Sequence, residues 1–107
     1  MKCEEIIKRL RTLKIPAAYS HFNAPPSVPF VVYLIPETER YGSDSKNMLK
    51  RSTVRIELYT DHKDTALEDK LSALFSEFEL DSYENYLSDQ QLYQNTFEFE
   101  MIDKTGG

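Results

Sequence analysis

The sequence predicts an α+β two-layer sandwich, α-β-β-α-β-β, with two helices packed on one face of a mainly antiparallel four-stranded sheet. Three observations predict it. Ile6, Ile7, Leu10 and Leu13 recur at helical spacing near the start. Val54, Ile56 and Leu58 alternate with Arg55, Glu57 and Tyr59, the period of a strand with one buried face. Directly afterwards Leu67, Leu71, Leu74, Phe75 and Phe78 return to helical spacing, as a stripe broad enough to lie across a sheet.

The first helix is expected over residues 3–14. Glu4 and Glu5 in its first turn and Lys8, Arg9, Arg11 and Lys14 later complement the helix dipole. Pro16 ends it, because a residue preceding proline avoids the helical region. Residues 16–29 hold four of the five prolines and read as an extended connector. Phe30 to Ile35 is a strand apolar on both faces, so either it is central or its second face meets another chain. Residues 36–50 are polar and read as a projecting arm, turning around Gly42-Ser43-Asp44 or near Lys46-Asn47.

Thr53–Thr60 is the alternating strand, and helix two follows over about Thr65–Phe78. Asp64 or Asp61 can cap it, and Thr65 with Glu68 offers a capping box instead. The end of the chain reads as a hairpin. In it Tyr93, Phe97, Phe99 and Met101 share one face, and Gln94, Thr96, Glu98 and Glu100 share the other. Residues 103–107 are expected to fray.

The chain has 107 residues, enough for one α+β domain over 1–107 and too few for two ordinary ones. Hydrophobic residues at 40% and charged residues at 29% support a folded core rather than disorder. A net charge of −5 argues against tight duplex binding through phosphate neutralisation. With Cys3 as the single cysteine, neither an internal disulfide nor a thiolate metal cluster can form. No apolar run approaches the ~20 residues that span a bilayer. The start, Met1-Lys2-Cys3-Glu4-Glu5, has acids where a signal peptide needs apolar residues. The expectation is a chain neither exported nor embedded in a membrane.

Chemistry-bearing residues are scattered. His21 and His62 fall in different loops, and no nucleophile, zinc or phosphate-loop motif occurs. Asp61, His62 and Asp64 form the one conceivable metal corner, the basis for a small metal-dependent hydrolase as a remote alternative. A solvated turn that caps a helix explains the same residues. Glu98 and Glu100 could act as an acid–base pair only if partly buried; an exposed sheet face or a subunit contact suits them better. The tyrosines Tyr33, Tyr59, Tyr83, Tyr86 and Tyr93 lack the basic groove of a single-strand-binding platform. No catalytic residue, cofactor site or metal site is expected.

Four phrases carry a family resemblance: Pro29-Phe30-Val31-Val32-Tyr33-Leu34, Arg55-Ile56-Glu57-Leu58-Tyr59-Thr60-Asp61, Ala66-Leu67-Glu68-Asp69-Lys70-Leu71, and Leu92-Tyr93-Gln94-Asn95-Thr96-Phe97-Glu98-Phe99. Together, from about Ile6 to Ile102, the chain resembles the tail-completion proteins of siphophages and prophages of Gram-positive hosts. These are also called tail terminators or head–tail joining proteins. Helix two in such relatives often begins Asp-Pro; here Thr65 follows Asp64, which leaves the cap intact.

The resemblance implies a non-enzymatic structural protein that closes a homo-oligomeric ring, typically hexameric, at the head-proximal end of the tail tube. Its implied partners are the tail tube protein and the head completion or connector protein, with DNA passing through the lumen without specific binding. It places the protein in the virion, and in the bacterial host cytoplasm before assembly. A monomeric adaptor or regulatory module encoded by a prophage is the alternative. Ring closure needs two different faces of each subunit to meet. For self-assembly the expectation falls on Phe30, Val32, Leu34, Arg40, Tyr41, Met48 and Leu49.

Overall fold

Alternation and helical spacing resolve into α1 (Cys3–Arg11), β1 (Ala17–Tyr19), β2 (Phe30–Tyr41), β3 (Met48–Thr60), α2 (Thr65–Leu74), β4 (Asp81–Leu87) and β5 (Leu92–Thr105). The computed structural model describes residues 2–41 and 48–105. The sheet order is β1-β2-β3-β5-β4. The expectation of four strands is corrected to five, and β1–β2 is a parallel pair. The added strand is short and lies in the connector between Pro16 and the later prolines, where no alternation marks it. Its ends are tied by Val31 N–H donating to the Pro16 carbonyl (2.9 Å) and Ser20 N–H donating to the Tyr33 carbonyl (2.8 Å). The remaining pairs are antiparallel.

Both helices end sooner than their apolar stripes. After Arg11, the Thr12 hydroxyl donates to the Arg9 carbonyl (2.6 Å), and Lys14 takes a left-handed φ of 60°. After Leu74, Phe75 leaves the helical region. Its ring stacks on Phe99 at 5.1 Å, and Phe78 stacks on the same ring at 4.5 Å. Aromatic burial against the sheet outweighs the continuation of a solvated last turn. At the other end of α2, Asp64 is the cap: its Oδ1 accepts from Leu67 N–H at 3.1 Å.

The core lies between the helices and one sheet face. Ile6, Leu10, Leu71 and Phe75 meet Val31, Tyr33, Val54, Ile56, Leu58, Phe97, Phe99 and Met101 there. The apolar second face of β2 is met within the chain, because β2 is an inner strand and the connector folds over it. Phe22 meets Phe30 edge-on at 5.5 Å, and Phe30 stacks on Tyr59 at 4.8 Å.

Past the core, β2 shifts register between Leu34 and Glu37. Pro36 lies inside that irregularity, where its missing N–H costs no ladder bond. The strands then continue together, with rows Glu37–Thr53–Glu100, Thr38–Ser52–Met101, Glu39–Arg51–Ile102 and Arg40–Lys50–Asp103. The expected arm is thus a three-stranded extension of the sheet, with β5 as its third strand. The turn expected around Gly42-Ser43-Asp44 or near Lys46-Asn47 falls outside the described residues, as do Gly106 and Gly107 of the expected tail. The molecule measures 49 × 28 × 22 Å.

Candidate functional site: the open sheet face and the arm

One sheet face carries no helix among the described residues. Alternation puts Phe30, Val32 and Leu34 there from β2, and Arg51, Thr53, Arg55, Glu57 and Tyr59 from β3. β5 adds Gln94, Thr96, Glu98, Glu100 and Ile102. The middle of this face is a polar lattice. Gln94 Nε2 donates to the Tyr59 hydroxyl (2.8 Å), which donates to Glu57 Oε1 (3.1 Å). Burial is the leading reason that the Tyr59 hydroxyl is held above its ordinary pKa. Arg55 donates from Nε and Nη2 to Glu98 Oε2 (3.4 Å each), and the Tyr83 hydroxyl donates to Glu98 Oε1 (3.2 Å). Arg51 lies 3.8 Å from Glu100. Glu98 and Glu100 are therefore each engaged by a guanidinium on the neighbouring strand.

Two concavities border the lattice. At one end the connector and the sheet enclose an apolar groove of about 440 Å³, lined by Phe22, Pro25, Val28, Phe30, Tyr59 and Leu92 among others. At the other end, where β4 stops beside Glu98, a notch of about 540 Å³ is lined by Glu79, Asp81, Glu98 and Glu100 with Thr53 and Ile102. Sequence reasoning found Glu98 and Glu100 by their alternation with Phe97 and Phe99. It missed Glu79 and Asp81, which reach the notch because of where β4 begins. It also missed the groove, whose one sequence signal was the proline-rich connector.

The residues expected to mediate self-assembly separate into groups. Val32 is buried, only 4% exposed, and Phe30 and Leu34 are half-buried. Arg40 is exposed, and Leu49 on the arm is 41% exposed. Tyr41 pairs with Leu49 and Met48 with Thr105 along the arm ladders. Phe30 and Val32 therefore lie at the connector end, and Arg40, Tyr41, Met48 and Leu49 lie on the arm.

The Asp61–His62–Lys63–Asp64 corner is a tethered turn. His62 Nδ1 lies 2.7 Å from Asp61 and Nε2 lies 3.7 Å from Asp64. The hydrogen bond to Asp61 is the main cause that raises the imidazole pKa above its ordinary value. Lys63 Nζ donates to Glu68 (2.9 Å) and Glu84 (2.6 Å), tying the start of α2 to β4. Among the described residues no set of three His, Cys, Asp or Glu side chains could hold a metal ion. Among them too, no helix is long and apolar enough to cross a membrane.

No family model matches this chain, and no curated protein matches it. Among solved structures its fold is similar to that of a chain described as "Virion of native gene transfer agent (GTA) particle". That likeness has a TM-score of 0.57 at 12% identity and covers 95% of this chain and 92% of that one. At that identity the likeness is one of fold, and it extends over nearly the whole of both chains.

Proposed function

We propose that the protein is a non-enzymatic structural subunit of a phage-type particle, a tail-completion or head–tail joining protein that forms a ring on the end of the tail tube. The observation that carries this reading is the end-to-end fold likeness to a chain of a gene transfer agent virion. The sequence phrases shared with tail-completion proteins point the same way. The shape supports it as well, since a compact two-layer body with a three-stranded arm offers distinct surfaces for the head-to-tail contacts of a closed ring. In this reading the ring is hexameric and touches the tail tube protein on one side and the head connector on the other. DNA passes through its lumen, and the net charge of −5 keeps phosphate binding weak.

Mixing the purified protein with purified tail tubes tests the reading. Sedimentation and negative-stain imaging are expected to show a ring on one end of each tube and an end to tube growth. A chain that stays monomeric at high concentration and leaves the tubes unchanged overturns it in favour of a monomeric adaptor.

A further inference from the structure

Strand β5 runs past its partner. β4 pairs with β5 only between Asp81↔Glu98 and Leu87↔Leu92, while β3 pairs with β5 as far as Thr105. Among the described residues, β5 from Phe99 to Ile102 therefore has a strand neighbour on its β3 side alone. Every second backbone N–H and C=O of that stretch points to the open side. The acidic notch of about 540 Å³ lies along it, because the chain at 79–80 stays off the ladder until β4 begins. Unpaired strand edges are templates for another strand, and proteins ordinarily shorten or cover them. This edge is anchored as well as open: Phe99 and Met101 are 3% and 2% exposed, held in the core on the helix side.

We propose that this edge is a strand-addition site, which takes an extended segment of another protein with lysine or arginine at alternate positions. Charge sets the class of segment. Glu98 and Glu100 project from β5 on the helix-free face, and exposed Glu79 and Asp81 stand where β4 starts. Arg55 engages Glu98 and Arg51 lies 3.8 Å from Glu100, so two of the four carboxylates face a guanidinium and the edge keeps a negative surplus. Alternate cations on an added strand land beside that surplus. The side chains between them turn to the helix side, toward Phe78 and Leu80, which are only partly buried. Ile102, 61% exposed on the helix-free face, is covered by the methylene stems of the added cations.

Among the described residues, the chain's own strands supply no such segment. With the helices kept on one side of a continued sheet, the outer part of β2 would set Glu37 and Glu39 beside Glu98 and Glu100, while Arg40 falls on the opposite face. β4 carries Asp81 and Glu84, and β1 carries no charge. Lys50 and Arg51 lie on β3, which has a strand on both sides. The occupant is accordingly a different protein. The inference goes beyond the ring reading and does not depend on it.

Amide exchange followed by NMR reads the site. The probe is a short synthetic peptide that alternates lysine with valine, compared with its glutamate counterpart. At millimolar lysine peptide, the outward amides among Phe99–Ile102 are expected to slow at least about tenfold, as ladder amides do when covered. The protection should fade as salt rises, and the glutamate peptide should give none. Glu79→Lys combined with Asp81→Lys changes exposed side chains and should weaken binding of the lysine peptide at least about tenfold.

Outward amides of Phe99–Ile102 that stay unprotected, equal protection by both peptides, or protection confined to the edges of β2 or β4 overturns the inference. So does a folded double variant that binds as the wild type does. If that variant fails to fold, the two peptides on wild type decide. Ring formation on tail tubes is a separate measurement, so failure here leaves the ring reading standing.

Discussion

Arg9 in α1 grips Glu77, beyond the end of α2, through two parallel hydrogen bonds: Nη1 to Oε1 at 2.7 Å and Nη2 to Oε2 at 2.8 Å. The same Nη1 donates to the Leu74 carbonyl at 2.8 Å, one of the acceptors that the end of α2 leaves open. The guanidinium also lies 5.5 Å from the centre of the Phe75 ring. One side chain thus closes the helix layer and caps α2, in place of the glycine that many helices use.

Arg9→Ala is therefore expected to lower the urea midpoint more than Arg9→Lys, because lysine keeps the charge but not the fork. Glu77→Gln should cost least, since the Leu74 carbonyl and Phe75 ring keep their contacts. The Arg9 hydrogen bond is the main cause that lowers the Glu77 carboxyl pKa. A depressed carboxyl adds stability above its ordinary range, and that stability is lost as pH falls through the folded value. The acid midpoint should consequently rise in Arg9→Ala, as followed by circular dichroism.

His62 gives the opposite sign. Its pKa is raised from 6.5, chiefly by the hydrogen bond to Asp61. The small stabilisation is complete below the ordinary value and disappears as pH rises through the raised one. A proton NMR titration should place His62 above an ordinary histidine and return it toward that value in Asp61→Asn. Asp64→Ala removes the α2 cap at Leu67 and should cost about 1 kcal/mol. Melting curves with zinc or a chelator should superimpose in both variants, since the corner is a turn.

The body of this fold was readable because its signals are periodic. Ile6, Leu10, Val54, Ile56, Leu58, Leu71, Phe97 and Phe99 each stood on a stripe or an alternation, and each is in the core. What stayed hidden was set by partners distant in sequence. Ala17–Tyr19 becomes a strand only because Val31–Tyr33 lies beside it. β5 serves as the third arm strand only because the 48–53 ladder extends as far. The end of α2 obeyed the Phe75 and Phe78 rings on Phe99, which helical spacing alone does not reveal. The apolar groove was invisible for the same reason, because its walls come from the connector, β2, β3 and the start of β5.

Thr60 is buried on the helix side of β3, and its Oγ1 has no hydrogen-bond partner among the described residues. A hydroxyl taken out of water without a partner costs free energy, and an isosteric methyl removes that cost. Thr60→Val is expected to stabilise the protein by about 1 kcal/mol. Leu71→Ala, in the core, should cost roughly 2–5 kcal/mol through lost burial and the cavity left behind. Urea denaturation of the two variants checks both signs.

Val32 and Leu49 separate folding from assembly. Both belong to the helix-free face, but Val32 is 4% exposed beneath the connector and Leu49 is 41% exposed on the arm. Val32→Ala removes buried methyl groups and should cost the isolated subunit roughly 1.5–3 kcal/mol. Leu49→Ser should change subunit stability by less than about 0.5 kcal/mol, because a solvated side chain gives up little on replacement. If the arm is the contact between copies, Leu49→Ser weakens assembly on tail tubes while leaving the melting curve of the subunit in place. Val32→Ala does the reverse, with a lower melting temperature and rings of unchanged size at temperatures where it is folded. Rings from Leu49→Ser that form at the wild-type concentration would move the contact off this part of the arm.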